Sequence, residues 1–292
     1  MIEVIEKEVD EKVENLNNLK QQNIGETLLQ KIQLENSYND FLVLILNVKY
    51  KHNFSNLNMF GLKGIDYIKS AVSVCETKVV DYNLNDDILK IIKQNTNNKK
   101  FVAVVFSDTP LIKKITFLEI LDYFMFKKLV ALKFNRGFVF DVNYLKSVEK
   151  VYNPQVQNFA EEDFFRVWDE KTFSSALDIL KNRIINYHLN KGVIIENIST
   201  TFIDAEVNID SGVIIKPNNF ILGKTIIRNN TIIGENSYIK NAIIEEESVI
   251  QNSIIENSVI LKRAKVLDYS VVKDTTIEED KIISNEKIIG SK

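Results

Sequence analysis

From residue 203 onward isoleucine returns at every sixth position: Ile203, Ile209, Ile215, Ile221, Ile227, Ile233 and Ile239 keep the period without a break. An α-helix repeats its apolar face about every 3.6 residues and a half-buried strand about every two, so neither accommodates this spacing. A coil of short parallel strands does, each strand sending one aliphatic inward to stack on the coil before it. Downstream the period mixes fives and sixes through Ile244, Ile250, Ile255, Leu261, Leu267, Val272, Ile277, Ile283 and Ile289. Four residues after many anchors the side chain is small or β-branched (Val207, Val213, Thr225, Thr231, Ser237, Ser248), which suits the corners of such a coil. Residues 193–292 therefore read as a parallel β-helix of hexapeptide repeats. Extra aliphatics beside the anchors, Ile214, Ile226, Ile232, Ile243, Ile254 and Ile260, exceed what one inward column uses and should face a partner or a covering segment.

The preceding sequence has a different texture. Residues 1–40 carry Ile2, Ile5, Val9, Val13, Leu16 and Leu19 at three- and four-residue steps, predicting a charged helical segment. FLVLILNV (41–48) and KKFVAVVFS (99–107) are continuous apolar runs, as expected of strands buried on both faces. Between and after them come helical patterns at 64–76, 85–94 (capped by Asn85 or Asp86), 115–128 and 143–152, with strand-like runs at 78–82, 128–134 and 137–142. That alternation predicts a mostly parallel, helix-covered α/β sheet over 41–168. A long helix over 169–192 follows, with Phe173, Leu177, Leu180, Ile184 and His188 on one face and Gly192 as its stop.

Composition narrows the function classes. A net charge of −3 supplies no basic footprint, which argues against nucleic acid as a partner. A lone cysteine, Cys75, cannot form an internal disulfide, and two histidines, His52 and His188, do not furnish a zinc site. The acidic N-terminus is unlike a signal peptide and no apolar run approaches bilayer length, so a cytoplasmic protein without membrane association is expected.

The repeat, the helix before it (RVWDEKTFSSALDILKNRIINYHLNKGVIIE) and the elements VAVVFSDTPLI and FNRGFVFDVNYL together resemble one family. It is the bacterial bifunctional family that uridylylates N-acetylglucosamine-1-phosphate and acetylates glucosamine-1-phosphate; more broadly, the sugar-1-phosphate nucleotidyltransferases with left-handed β-helix tails. The resemblance implies a Rossmann-like nucleotidyltransferase-like domain, a linker helix, a left-handed β-helix and association as a homotrimer. It also implies a nucleotide or sugar nucleotide as ligand and Mg²⁺ as cofactor. Asp108 in DTPL matches the family's metal-binding aspartate, although an aspartate ahead of Thr109-Pro110 also suits a turn cap. The family's second ligand, an asparagine, falls on Trp168, with Asp169 next door as the substitute if the register slips by one.

The chemistry then departs from the family. Nucleotidyl transfer needs a cradle for the triphosphate, a metal site and a cation on developing charge. The family's cradle is a glycine-rich loop after the first strand. Here NVKYKHNFSNLN contains no glycine, leaving Lys49, Lys51 and His52 as the candidate phosphate contacts, with the family's next lysine echoed at Lys63; such exposed basic residues are more often ordinary solvated surface. The family's base-reading Gln and Gly-Thr turn have no counterpart in IIKQNTNNKK, and the stretch between DTPL and FNRGFVF is short. No histidine follows His188 to act as the base of a β-helix acyltransferase. The leading reading is a catalytically reduced relative acting in sugar-nucleotide binding, regulation or scaffolding; the alternative is an active Mg²⁺-dependent nucleotidyltransferase using Asp108, with a β-helix acyltransferase or an unrelated assembly protein behind both.

Overall fold

The computed structural model describes residues 38–96 and 98–290, so the helical segment expected over 1–40 falls, up to residue 37, outside the described residues. The chain divides into two compact units. One contains Ile68–Phe164 and the described part of Met1–Lys49; the other contains Tyr50–Tyr67 and Phe165–Lys292.

The first unit is built on a mixed sheet. Strand β1 (Phe41–Val48) is followed by a small hairpin, β2 (Asn58–Met59) and β3 (Leu62–Lys63), that belongs to the second unit. Helix α1 (Gly64–Ala71), β4 (Glu76–Tyr82), α2 (Ile88–Asn95), β5 (Phe101–Phe106) and α3 (Lys114–Phe126) come next. Then come β6 (Ala131–Phe134), β7 (Gly137–Asp141), α4 (Val142–Ser147) and β8 (Gln155–Val156). The sheet order is β4-β1-β5-β7-β6-β8. Strand β1 lies parallel to both β4 and β5, as the alternation predicts, whereas β7 runs antiparallel to β5 and to β6. The mostly parallel expectation fails there for a local reason: only Asn135 and Arg136 separate β6 from β7, and so short a link makes a hairpin, not a crossover. On one face of β1 and β5, Phe41, Val43, Ile45, Ala103 and Val105 pack with Val72, Phe117, Ile120, Leu121 and Phe124, all buried.

Helix ends are set by caps that apolar spacing does not reveal. The cap of helix α2 is Asp87, one residue after Asp86 and two after Asn85, because Asp87 accepts the Lys90 N–H; Asp86 instead accepts the N–H of Asn83. Helix α4 starts where Asp141 accepts the Tyr144 N–H, and it ends at Ser147, short of the expected 152.

In the second unit, helix α5 (Glu170–Asn190) buries Ala176, Leu180, Ile185 and His188. It ends just ahead of Gly192, whose φ of +87° costs glycine little. Beyond it, short strands assemble into three parallel sheets of five or six strands, each strand pairing with the strand three ahead in sequence. This is the arrangement of a parallel β-helix. The inward columns are continuous: Ile203–Ile221–Ile239–Ile255–Val272 in one sheet, Ile209–Ile227–Ile244–Ile260–Ile277 in the next. Ile185 of α5 and Val193 join the same core cluster. Three expected anchors are off by one: Ile260, Val266 and Ile288 face inward in place of Leu261, Leu267 and Ile289. Each of these strands has adjacent aliphatics, so spacing alone leaves two choices, and pairing with the previous coil (Ile244 to Ile260, Ile250 to Val266) selects one. The small residues Val207, Val213, Thr225, Thr231, Ser237 and Ser248 are all buried. Many turns contain a left-handed residue, often asparagine (Asn218, Asn230, Asn236, Asn241, Asn252, Asn257), the non-glycine side chain that tolerates it best. Among the described residues no helix is long and apolar enough to cross a membrane.

Candidate functional site

In sheets with parallel strands, ligands sit outside the carboxyl ends of those strands. Here that edge is formed by β4, β1 and β5, and it carries Asp81, Asn47, Lys49, Ser107 and Asp108. The Ser107 N–H donates to the Leu46 carbonyl at 2.9 Å and its Oγ accepts the Val48 N–H at 2.9 Å, which ties the end of β5 to the end of β1. Asn47 Nδ2 and Lys49 Nζ both reach Asp81 Oδ1, at 2.8 Å and 2.9 Å. Lys49 and then Asn47, through these bonds, hold the Asp81 carboxyl below the usual carboxylate range.

Asp108 follows β5, and its side chain is only 1% exposed. Its carboxylate is gripped by Arg136: Nε–H donates to Oδ1 at 3.2 Å and Nη2–H to Oδ2 at 2.9 Å. The antiparallel register of β5 and β7 places Gly137 opposite Val105, so Arg136, one residue earlier, lies beside the end of β5. Gly137 permits that approach, since a Cβ there would come within 2.1 Å of the Phe134 ring and 2.4 Å of the Val104 carbonyl. The guanidinium also lies over the Phe106 ring, 4.0 Å from its centroid, and Tyr82 meets the same ring edge-on at 5.9 Å. Arg136 is the residue that sequence reasoning missed. Its partner lies in a different strand connection, and the only signal for it is an arginine in a two-residue turn ahead of a glycine.

The other expected site residues are distributed as follows. Lys49 belongs to the first unit, with Asp108; Lys51, Lys63 and Asp169 belong to the second. Lys51 and Lys63 are exposed, Lys63 on the β2–β3 hairpin. Asp169 is the N-cap of α5: it accepts the Thr172 N–H at 2.8 Å and the Thr172 hydroxyl at 2.6 Å within a capping box. These two bonds from Thr172 lower its carboxyl below the usual range. Trp168 is 46% exposed under the Arg166 guanidinium, and His52 Nε2 lies 3.3 Å from Glu170. His188 is buried with its Nδ1 unpartnered, and burial, then the nearby Lys191 charge, pushes it down to about 4. Among the described residues no group of three or more His, Cys, Asp or Glu side chains gathers to hold a metal. A cleft of about 430 Å³ lined by Asp40, Lys100, Phe101, Phe124, Lys128 and Asp141 lies at the amino ends of β1 and β5, the opposite edge from Asp108.

The segment after β1, where the resembled family has its phosphate loop, is from Tyr50 onward part of the second unit and makes its contacts inside it. The Phe60 carbonyl accepts the Ala205 N–H at 3.0 Å, the Phe54 ring lies 5.8 Å from Phe173, and Arg166 donates to the Tyr50 hydroxyl at 3.0 Å. The Tyr67 hydroxyl in turn donates to the Met59 carbonyl at 2.7 Å. No family model matches the chain, and no curated protein matches it.

Proposed function

We propose that this chain is a divergent protein of the sugar-1-phosphate nucleotidyltransferase class, related to the UDP-N-acetylglucosamine pyrophosphorylases, that has lost turnover. Its role is sugar-nucleotide binding, regulation or scaffolding, with a left-handed β-helix as the rigid arm. The order of elements supports the class: a Rossmann-like sheet, a long helix, then hexapeptide coils. The observation that carries the loss of turnover is the fate of the segment after β1. Its Lys49, Asn56 and Leu57 N–H groups are donated to the Tyr82, Asn53 and Phe54 carbonyls, and its Phe54 and Tyr50 side chains meet Phe173 and Arg166, which supports a loop held by its own contacts over a glycine cradle of N–H groups closing on a triphosphate. Asp108 at the carboxyl edge of β5 is what favours the alternative, an active Mg²⁺-dependent enzyme.

The deciding assay is pyrophosphate release from UTP and N-acetylglucosamine-1-phosphate with Mg²⁺, in wild type and Asp108→Asn. Losing one preorganised contact typically costs about 10²–10³ in rate, so turnover near background is expected. Turnover of about one per second or more, the lower end of ordinary enzyme rates, abolished in Asp108→Asn, would establish the alternative. Association in threes belongs to the same proposal. It is supported by the outward columns of half-buried Ile214, Ile226, Ile232 and Ile243 and by Ile254 at 40% exposure, whereas Ile260 is committed to the core. A monomer by light scattering at micromolar concentration would reject it.

A further inference from the structure

A divalent ion needs carboxylate oxygens that are free to enter its shell. Mg²⁺ demands oxygen ligands at about 2.0–2.1 Å in near-octahedral geometry, with water or substrate filling most positions. Asp108 meets neither need. Both of its oxygens are taken by one guanidinium, at 3.2 Å and 2.9 Å, and its side chain is 1% exposed while that of Arg136 is 23% exposed. A bidentate arginine brings a permanent positive charge and two parallel donors, the strongest pairing available to a carboxylate short of a metal. Nor is Arg136 placed to swing aside. Its guanidinium rests on Phe106 at 4.0 Å, and the next residue, Gly137, is held opposite Val105 by the β5–β7 register. A metal entering at Asp108 would have to break both hydrogen bonds and then sit beside the displaced cation.

We propose that Arg136 is a resident cation occupying the electrostatic position of a divalent ion at Asp108, so that the native chain is closed to metal at this carboxylate. The inference rests on the class proposed above and sharpens it, because any anionic ligand at this strand edge then meets a guanidinium in place of Mg²⁺. The charge requirement of the buried carboxylate is met within the chain, independently of metal supply.

The test uses Mn²⁺ alone as the probe, read by loss of its free electron-paramagnetic-resonance signal and by thermal shift, on the full chain. Wild type and Asp108→Asn should bind Mn²⁺ identically. Arg136→Ala should lose thermal stability and gain a Mn²⁺ site at least about tenfold tighter than any in wild type, a change of about 1.4 kcal/mol or more. That site should raise its Tm and disappear in Arg136→Ala/Asp108→Asn. Arg136→Gln, which keeps a neutral donor over Phe106, repeats the measurement if the alanine variant does not fold. Mn²⁺ binding in wild type that Asp108→Asn removes overturns the inference, as does a folded Arg136 variant that gains no Asp108-dependent site. Those outcomes differ from failure of the functional proposal: Asp108-dependent metal binding without pyrophosphate release defeats only the resident cation, whereas Mg²⁺-dependent turnover requiring Asp108 defeats both.

Discussion

Replacing Ile227 with alanine tests the inward column of the coil directly. Ile227 is fully buried and stacked between Ile209 on the coil before and Ile244 on the coil after, both also fully buried. Removing three carbons forfeits roughly 2.4 kcal/mol of transfer free energy at about 0.8 kcal/mol per buried CH₂. A cavity term is added, because the stacked neighbours are held by parallel backbone pairing and cannot close the gap. Measured isoleucine-to-alanine losses span about 2–5 kcal/mol, and a site that collapses poorly belongs in the upper half, so about 4 kcal/mol is expected. Ile226, one residue earlier and pointing outward, is half-buried, and its alanine variant should lose about 1 kcal/mol. Urea titration followed by fluorescence of the single tryptophan, Trp168, reports on the unit that contains the coil, which matters because two units need not unfold together. Equal losses for the two variants, or a loss below about 1 kcal/mol for Ile227→Ala, would refute the assignment of the inward column.

Acid should weaken the second unit through His188, whose folded value is pushed down to about 4 from an ordinary 6.5. Because the unfolded chain takes up the proton first, this contribution is full above pH 6.5 and is lost as pH falls towards 4; at 1.36 kcal/mol per unit it amounts to about 3 kcal/mol at most. His188→Leu should flatten that part of the stability–pH curve, and an unchanged curve in the variant would sink the assignment. Gly137→Ala should destabilise the first unit by more than 1 kcal/mol, because its Cβ would overlap the Phe134 ring and the Val104 carbonyl; an unaltered urea midpoint by circular dichroism would contradict this.

What the amino-acid sequence determined by itself is what depends on near neighbours or on a repeated rule. The six-residue period specifies stacked parallel strands because each coil meets only the next one, so a local pattern is also the tertiary pattern. The uninterrupted run FLVLILNV likewise becomes β1 at its full length, since a segment without polar positions has no face to offer water. Tertiary structure decided whatever depends on register between distant segments. Ile260 and not Leu261 is inward because Ile244 lies opposite it, and β7 turns antiparallel because its link to β6 is too short for a crossover. Asp169 caps a helix that its own Thr172 completes, while the segment carrying Lys51 and Lys63 joins the second unit. Asp108 in DTPL is legible as a carboxylate at a strand end, but its partner is not. Arg136 is brought to it by the pairing of Val105 with Gly137, and a hydrogen bond across that register leaves no trace in the spacing of residues along the chain.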